Sequence, residues 1–375
     1  MLSRQVVLDA RGRIVAYEFA GSNEEAVLHA ASHDGRMVFL RCDWPLASNL
    51  LGMIDPEKVV LRLNAGVDAA RDLALLREQG FRFALDQRAL APAARALANC
   101  ASFIWIDAGN AEAFTLLQIA RAAATRAPGA KLVASGIRTA DQFKAASAAG
   151  FALFEGDWFA RAVAVPGAAL KPVQAVTMQL MQLVRTDAEP AQIEEVLKRD
   201  PGLSLNLLRL VNSSGLGLRC EITSFRHAVM ILGLKKLFRW ASLLLVTSSS
   251  GAPAVAQTAV VRGRLMELLA TEMLSADECD NAFVVGIFSL LEAMTGLPAK
   301  RALEGISLPD TVTEALIERA GPLAPFLDLA IACETADDDA FAKAVSSLQL
   351  SDRKVNMAHL QALAWAEDLM SASAA

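Results

Sequence analysis

The spacing of hydrophobic residues changes near residue 160. Before that point, short apolar or alternating runs typical of β-strands are separated by segments with apolar residues at helical spacing. The strand-like runs are Gln5–Leu8, Ile14–Phe19, Met37–Arg41, Val59–Leu63, Phe81–Asp86, Phe103–Asp107, Lys131–Ala134 and Phe151–Phe154. The helical segments are Glu24–Ala31, Val67–Gln79, Ala111–Arg126 and Thr139–Ala149. This alternation predicts βα units, and about seven repeats favour a closed TIM-like (β/α) barrel over an open sheet. Because about 160 residues is short for such a barrel, we expect trimmed helices and an imperfect ring.

The pattern is interrupted between Ala164 and Pro172 by small residues and prolines, which is typical of a linker. Beyond it no strand-like run appears. Helices are predicted at 173–186, 191–199, 202–212, 225–232, 234–247, 255–275 and 280–295, with shorter ones to 346 and a final one from Asp352 to Met370. The predicted organisation is a barrel domain at 1–163, a linker at 164–172 and an all-α domain at 173–375.

The start of the helical half carries an ordered set of helix signals. Asp200 is an N-cap followed by Pro201 at the first helical position, and Gly233 closes the helix that begins at Phe225. The motifs follow in the order Asp-Pro-x-Leu, Leu-Leu-Arg, Asn-Ser-Ser-Gly, Ile-Thr-Ser, Ala-Val and Ile-Leu-Gly. This ordered set resembles the HDOD domain. This resemblance implies an all-helical signalling or scaffolding relative of the metal-dependent HD phosphohydrolases.

Composition narrows the function classes. Hydrophobic residues make up 54% of 375 residues, and the net charge is -5, which argues against broad nucleic-acid or anionic-membrane binding. Arg4 and Asp9 interrupt any secretory leader, and no apolar run approaches the roughly 20 residues needed to span a bilayer. The five cysteines are scattered, which favours reduced core thiols. We therefore expect a cytoplasmic protein.

The first half resembles the EAL domain, a barrel that hydrolyses cyclic di-GMP. The segments that carry the resemblance are Val15–Phe19, Gly80–Gln87, Ile104–Asp107, Lys131–Ala134 and Gly150–Phe159. The resemblance implies an acidic cage at the carboxyl ends of the strands, where two divalent cations activate water.

Residue by residue, the cage positions are partly kept and partly replaced. Glu18, Asp86 and Asp107 match family carboxylates. Arg41 stands for the family's asparagine, Arg62 for a glutamate, Gln87 for the second paired aspartate and Trp105 for a lysine. Ser135 and Gly136 replace a glutamate and a lysine, and Glu155 replaces a glutamine. The phosphate-binding arginine after the first motif is absent, because Ala20-Gly21-Ser22 stands there.

These replacements lead to the prediction that the barrel has no catalytic activity and holds no metal or other cofactor. Two guanidinium groups at former ligand positions repel a divalent cation. We expect Arg41 and Arg62 to form ion pairs with Glu18, Asp86, Asp107 or Glu155 across the barrel mouth. The alternative is a rebuilt anion site in which the two arginines hold a nucleotide phosphate.

The helical half offers no predicted metal site but one basic concentration. His227 and His359 are the only histidines beyond residue 160. Ser289-Leu290 stands where an HD hydrolase has its His-Asp pair. The basic residues are Arg226, Lys235, Lys236 and Arg239. They form either a solvated helix face or a docking patch for an acidic partner helix or a nucleic-acid phosphate, with a protein favoured by the net charge.

The whole chain resembles the two-domain EAL-plus-HDOD signalling proteins of bacteria. The predicted function is a non-catalytic adaptor that contacts another protein of a signalling or motility pathway. A cyclic di-GMP receptor that binds without hydrolysis is the alternative, although most of the family's phosphate and guanine contacts are replaced. A residual phosphodiesterase is the third reading, and the oligomeric state is left open.

Overall fold

The computed structural model describes residues 2–21, 36–43, 45, 51–64, 66–161, 170–200, 207, 225–247, 253–304, 306–335 and 337–374. The predicted helices at 24–31 and 202–212, and most of the predicted linker, lie outside these residues. By contacts the chain divides into two units: a barrel unit, Met1–Arg161 with Asp328–Ala375, and a helical unit, Ala162–Leu327. None of the helices in the described ranges has the length and apolar character needed to cross a membrane.

Eight strands form a closed barrel in sequence order. They are β1 (Leu2–Asp9), β2 (Ile14–Gly21), β3 (Met37–Cys42), β4 (Val59–Leu63), β5 (Arg82–Asp86), β6 (Ala101–Asp107), β7 (Lys131–Ile137) and β8 (Leu153–Gly156). β1 runs antiparallel to both β2 and β8, whereas the other neighbouring strands are parallel. The predicted TIM-like barrel is confirmed, and the ring that we expected to be imperfect is closed.

Short helices cover the barrel, as expected for a chain of this length. They are α1 (Ala70–Glu78), α2 (Arg95–Ala98), α3 (Ala113–Arg126) and α4 (Ala140–Ala148), with 3-10 turns at Val67–Ala69, Gln87–Leu90 and Pro92–Ala94. Thr139 caps α4 through a reciprocal hydrogen-bond pair with Gln142, which fixes where this helix begins.

Side chains alternate between the two faces of each strand, so the barrel has two apolar layers. The inner layer is Val7, Ala16, Phe39, Val60, Ala84, Phe103, Trp105, Val133 and Leu153. The outer layer lies between strands and helices and includes Val38, Leu61 and Ile104. The inner layer fills the barrel, so the next inward residue of each strand lies at the open end.

The helical unit is built from consecutive short helices. They are α5 (Pro172–Arg185), α6 (Pro190–Lys198), α7 (Phe225–Leu232), α8 (Leu234–Thr247), α9 (Pro253–Ala270), α10 (Ala276–Phe288), α11 (Leu291–Thr295), α12 (Ala299–Leu303) and α13 (Asp310–Thr313). A π-helical turn follows at Glu314–Glu318. The helix predicted at 280–295 is two helices, because Ser289 and Leu290 separate α10 from α11.

The last part of the chain groups differently from the predicted domain limits. α14 (Ala324–Thr335) crosses the boundary between the units, and α15 (Asp338–Leu348) and α16 (Asp352–Ala374) belong to the barrel unit. Within that unit, Leu360 and Leu363 pack against the outer apolar layer. The predicted limits 1–163 and 173–375 therefore stay a prediction, since contacts alone assign the last residues to the barrel.

Candidate functional site at the barrel mouth

One side chain from each of seven strands projects inward just beyond the apolar inner layer. Each stands two residues after a member of that layer, and the period of two therefore places them on the same inner face. We call this ring the barrel mouth: Glu18, Arg41, Arg62, Asp86, Asp107, Ser135 and Glu155. The sequence-predicted residues are thus brought together at the carboxyl ends of the parallel strands. Trp105 lies one layer deeper, and Gln87 is exposed in the turn after β5.

The strongest contact in the mouth joins Glu18 and Arg62. The Glu18 side chain is 1% exposed, and its Oε1 accepts a hydrogen bond from the Arg62 guanidinium in an ion pair. The Arg62 guanidinium carbon lies 4.2 Å from the centroid of the buried Trp105 ring. Glu18 Oε2 and Trp105 Nε1 have no hydrogen-bond partner within the described structure. The pair predicted from sequence is present, and its network is only partly satisfied.

Glu155 is a buried acid beside this pair. Burial raises its pKa, as does the nearby Glu18 charge, whereas Arg62 and Arg41 oppose the shift; the resulting pKa is about 8. Glu155 therefore carries its proton at neutral pH. As a consequence, the mouth holds one buried carboxylate, Glu18, next to a neutral carboxylic acid rather than two buried negative charges.

Arg41 adds an exposed positive charge to the rim. It is directly opposite Arg62 in the parallel register of β3 and β4, and its side chain is exposed. Its positive charge opposes the rise in the pKa of Glu155. The two guanidinium groups therefore belong to adjacent residues of the ring. The predicted ion pair of Arg41 with Glu18, Asp86, Asp107 or Glu155 is wrong, because among these described residues only Arg62 pairs, with Glu18, and Asp86 pairs with Arg88 instead.

Asp86 and Asp107 make local contacts instead of the expected pairs with the two arginines. Asp86 caps the turn after β5 by accepting from the Arg88 backbone N–H, and it forms an exposed ion pair with the Arg88 guanidinium at 2.5 Å. Asp107 accepts from the Gly109 backbone N–H at 3.0 Å. Arg88 was not singled out from the sequence, although an aspartate directly after a strand is a signal for such a capped turn.

Gly136 stands where the family resemblance implies a lysine, and the local backbone explains why a glycine is found there. Its φ of +71° is left-handed, and an added Cβ would lie 3.0 Å from Asp107 Oδ1. Next to it, Ser135 Oγ donates to the Ile106 carbonyl. This side of the mouth is formed by closely approaching backbone.

The metal that the family resemblance implies has no ready set of ligands in this arrangement. Within the described ranges, no three His, Cys, Asp or Glu side chains come together in a geometry that holds a metal ion. Glu18 is bound to Arg62, and Arg41 stands next to Arg62 on the neighbouring strand. These residues do not fit a pair of divalent cations as they stand, and we derive no step through such ions.

The basic residues of the helical half are mostly paired. Arg239 is half-buried and donates to both carboxylate oxygens of Glu267, at 2.5 and 2.7 Å, while Lys235 forms an exposed ion pair with Asp277. Burial alone would raise the pKa of Glu267, but hydrogen bonds and charge from Arg239 and Arg264 lower it below its ordinary value. Lys236 is exposed, and the Arg226 side chain lies outside the described residues. Arg239 therefore belongs to a structural network and not to a solvated helix face.

Ser289, at the position of the missing His-Asp pair, accepts a hydrogen bond from buried Arg262 at 2.7 Å. His359 is fully buried, and the side chain of His227 lies outside the description.

Comparison with known proteins finds a family match within the helical half. The HDOD family model matches residues 170–293. These residues are therefore similar to the HDOD domain. Over 297 residues the chain is 27% identical to the cyclic di-GMP phosphodiesterase CdgJ of Vibrio cholerae, covering 78% of this chain and 69% of CdgJ. YuxH of Bacillus subtilis is 22% identical over 408 aligned positions, covering 99% of both chains.

Two solved EAL structures are also similar to part of this chain. A standalone versatile EAL protein from Vibrio cholerae O395, in a c-di-GMP bound form, covers 43% of this chain and 91% of its own, with 15% identity and a TM-score of 0.36. The EAL domain of Mycobacterium smegmatis DcpA covers 41% of this chain and 87% of its own, with 15% identity and a TM-score of 0.34. With the HDOD match and the CdgJ relative, the predicted EAL-plus-HDOD organisation is confirmed.

The prediction that this chain is not an enzyme is contradicted. CdgJ, which aligns with 78% of the chain, is a cyclic di-GMP phosphodiesterase. Arg62 is paired with Glu18, as predicted, so its charge at the former ligand position is compensated. Replaced ligand positions alone therefore do not establish inactivity.

Proposed function

We propose that this protein acts in cyclic di-GMP signalling, with the barrel mouth binding the dinucleotide and the HDOD domain contacting another protein. The relatives support the nucleotide, since CdgJ is a cyclic di-GMP phosphodiesterase. The HDOD match supports the protein contact, because the domain is a signalling module by resemblance.

The observation that carries the proposal is the pair of adjacent arginines, Arg41 and Arg62, in register at the mouth. Planar guanidinium groups bind phosphate oxygens through two parallel hydrogen bonds. Arg41 is exposed, and Arg62 is held in place by Glu18 and the Trp105 ring. Protonation of Glu155 removes a negative charge that would repel a phosphate. The mouth is thus chemically suited to an anionic ligand.

The test is a calorimetric titration of the full chain with cyclic di-GMP, with and without Mg²⁺. We expect saturable binding, and Arg41→Ala should weaken the affinity about tenfold because it removes a charge-assisted contact. Arg11→Ala is the matched control, since Arg11 is an exposed arginine in the β1–β2 turn at the opposite end of the barrel. If the unmodified chain gives no heat of binding, or if both variants lose the same affinity, dinucleotide binding at the mouth is contradicted.

A second candidate function is cyclic di-GMP phosphodiesterase activity. It is favoured by the CdgJ relative and by three carboxylates, Glu18, Asp86 and Asp107, that keep their places at the strand ends. The same samples, incubated with Mg²⁺ or Mn²⁺, are analysed for linear product by chromatography. Product that disappears in Glu18→Gln supports this function. Product that persists in Glu18→Gln rejects it, because the activity then comes from another source.

The protein-contact part is tested with the full chain as bait, with and without cyclic di-GMP. A direct partner whose purified form binds the chain with an affinity that depends on the dinucleotide supports signalling through the HDOD domain. A partner that binds equally in both conditions contradicts the coupling.

A further inference from the structure

A small pocket in the helical unit combines cations, acids and an apolar floor. Its volume is about 260 Å³, and it lies between the end of α5, α8, the first turns of α10 and the segment before α13. The lining residues that matter here are Arg185, Lys235, Phe238, Arg239, Asp277 and Asp280.

Arg185 is the cation of this pocket that has no carboxylate partner within the described structure. Its Nε donates to the Ser307 carbonyl at 3.0 Å, and its guanidinium carbon lies 5.3 Å from the centroid of the Phe238 ring. Gln182 fixes the same segment through hydrogen bonds to Ser307 Oγ at 3.2 Å and from the Ser307 backbone N–H at 2.7 Å. These contacts hold the guanidinium in one place, which reduces the entropic cost of binding a ligand there.

The other two cations differ in availability. Arg239 is bound to both oxygens of Glu267 and lies 3.3 Å from Asp280, so its charge is compensated. The Lys235–Asp277 pair is exposed at both ends, with 72% of each side chain accessible. Exposed ion pairs contribute little free energy, so Lys235 is able to exchange Asp277 for another carboxylate.

We propose that this pocket is the docking point for an acidic side chain of a partner protein, flanked in the partner by an apolar residue. This proposal deepens the protein-contact part of the proposed function and rests on it. The carboxylate would bind Arg185 with help from Lys235, while the apolar neighbour covers Phe238 and Pro309.

Size and charge favour a peptide carboxylate over a free small molecule or a phosphate. The volume is below the roughly 300–1,000 Å³ of typical small-molecule sites, and matches one or two side chains. Asp277 and Asp280 at the rim disfavour a doubly charged phosphate, whereas a single negative charge complements the one unpaired guanidinium. Arginine and aromatic side chains are also the residues that dominate protein interfaces.

The test uses the labelled full chain on an array of random twelve-residue peptides, followed by affinity measurement with the best-bound peptide. We expect bound peptides to be enriched in Asp or Glu next to Leu, Ile or Phe. Arg185→Gln should weaken the best peptide about tenfold. Lys300→Gln is the matched control, since Lys300 is exposed on α12, does not line the pocket, and loses the same charge.

Three results overturn the proposal. They are an absence of acidic preference on the array, an equal loss for Arg185→Gln and Lys300→Gln, and a loss that occurs with Lys236→Gln but not with Arg185→Gln. Circular dichroism of each variant identifies misfolding, and Arg185→Lys, which keeps the charge, should recover part of the affinity. Titration of Arg185→Gln with cyclic di-GMP reports on the barrel separately, so failure of dinucleotide binding is distinguishable from failure of the pocket.

Discussion

Both units place an arginine between an aromatic ring and a carboxylate, but only in the helical unit is the carboxylate bonded at both oxygens. In the helical unit, Arg239 lies 3.9 Å from the Phe283 ring centroid, and Glu267 accepts hydrogen bonds at both oxygens, from Arg239 and Arg264. In the barrel mouth, Arg62 covers Trp105, but Glu18 is bonded through only one oxygen.

The difference indicates which arrangement is structural. A carboxylate bonded at both oxygens is held firmly in place, whereas a buried carboxylate oxygen left unsatisfied requires another explanation, such as a role in binding or catalysis. Glu18 Oε2, Trp105 Nε1 and protonated Glu155 lie in the same small region of the barrel. We therefore regard the mouth, and not the Arg239 network, as the place where a ligand replaces contacts between protein side chains.

The largest expected effect comes from breaking the mouth pair. Arg62→Ala leaves Glu18 buried without its cation, which should lower the free energy of unfolding by about 3–5 kcal/mol. Denaturant titration at pH 7 measures this loss, with the exposed neighbour Arg41→Ala as control at less than about 1 kcal/mol. The double variant Glu18→Gln/Arg62→Met should recover much of it. A loss below about 1 kcal/mol for Arg62→Ala would mean that the pair is solvated.

An intermediate effect is expected in the helical unit. Glu267→Ala removes the acceptor of two arginines and should cost about 2–3 kcal/mol, because hydrogen bonds to charged groups are stronger than neutral ones. Lys235→Ala is the control, since its exposed pair with Asp277 should contribute less than about 1 kcal/mol. Thermal or denaturant unfolding of both variants makes the comparison. Equal losses would show that Arg239 is no better anchored than Lys235.

The smallest effect, taken per pH unit, is a pH dependence due to Glu155. Its pKa is higher in the folded chain, about 8, than the ordinary value of 4.5, so folding binds the proton more tightly. Its stabilising contribution is complete below about pH 4.5 and is lost as the pH rises through about 8. Unfolding free energy should therefore decline across this range, by at most about 1.4 kcal/mol per pH unit, and more weakly in Glu155→Gln. Parallel profiles for the two proteins would assign the titration to another group.

Much of the barrel follows from the sequence because strand periodicity is a local signal. The same period of two that identifies Val59–Leu63 as a strand also places Arg62 on the inner face, so the ring of site residues was predictable. The interaction partner of each of these side chains was less predictable. Asp86 turns to Arg88 because the backbone after β5 forms a capped turn, and that geometry competes with the more distant arginines.

Other differences arise from tertiary packing. Nothing in the local pattern of α16 separates it from the preceding helices, yet Leu360 and Leu363 pack on the barrel's outer layer. Arg239 reads as part of a basic surface in sequence, but Glu267, 28 residues later, lies against it in the folded unit. Such pairings depend on the crossing of helices and are not encoded in spacing alone.

The antiparallel direction of β1 has a practical consequence for anyone handling this protein. Leu2 pairs with Gly21, at the carboxyl end of β2, so the first strand starts at the rim of the mouth and leads away from it. A purification tag fused ahead of residue 2 would hang over the ring that includes Glu18 and Arg41. The imidazoles of a histidine tag in that place would themselves bind metal ions, and would interfere with an experiment on the metal dependence of the mouth.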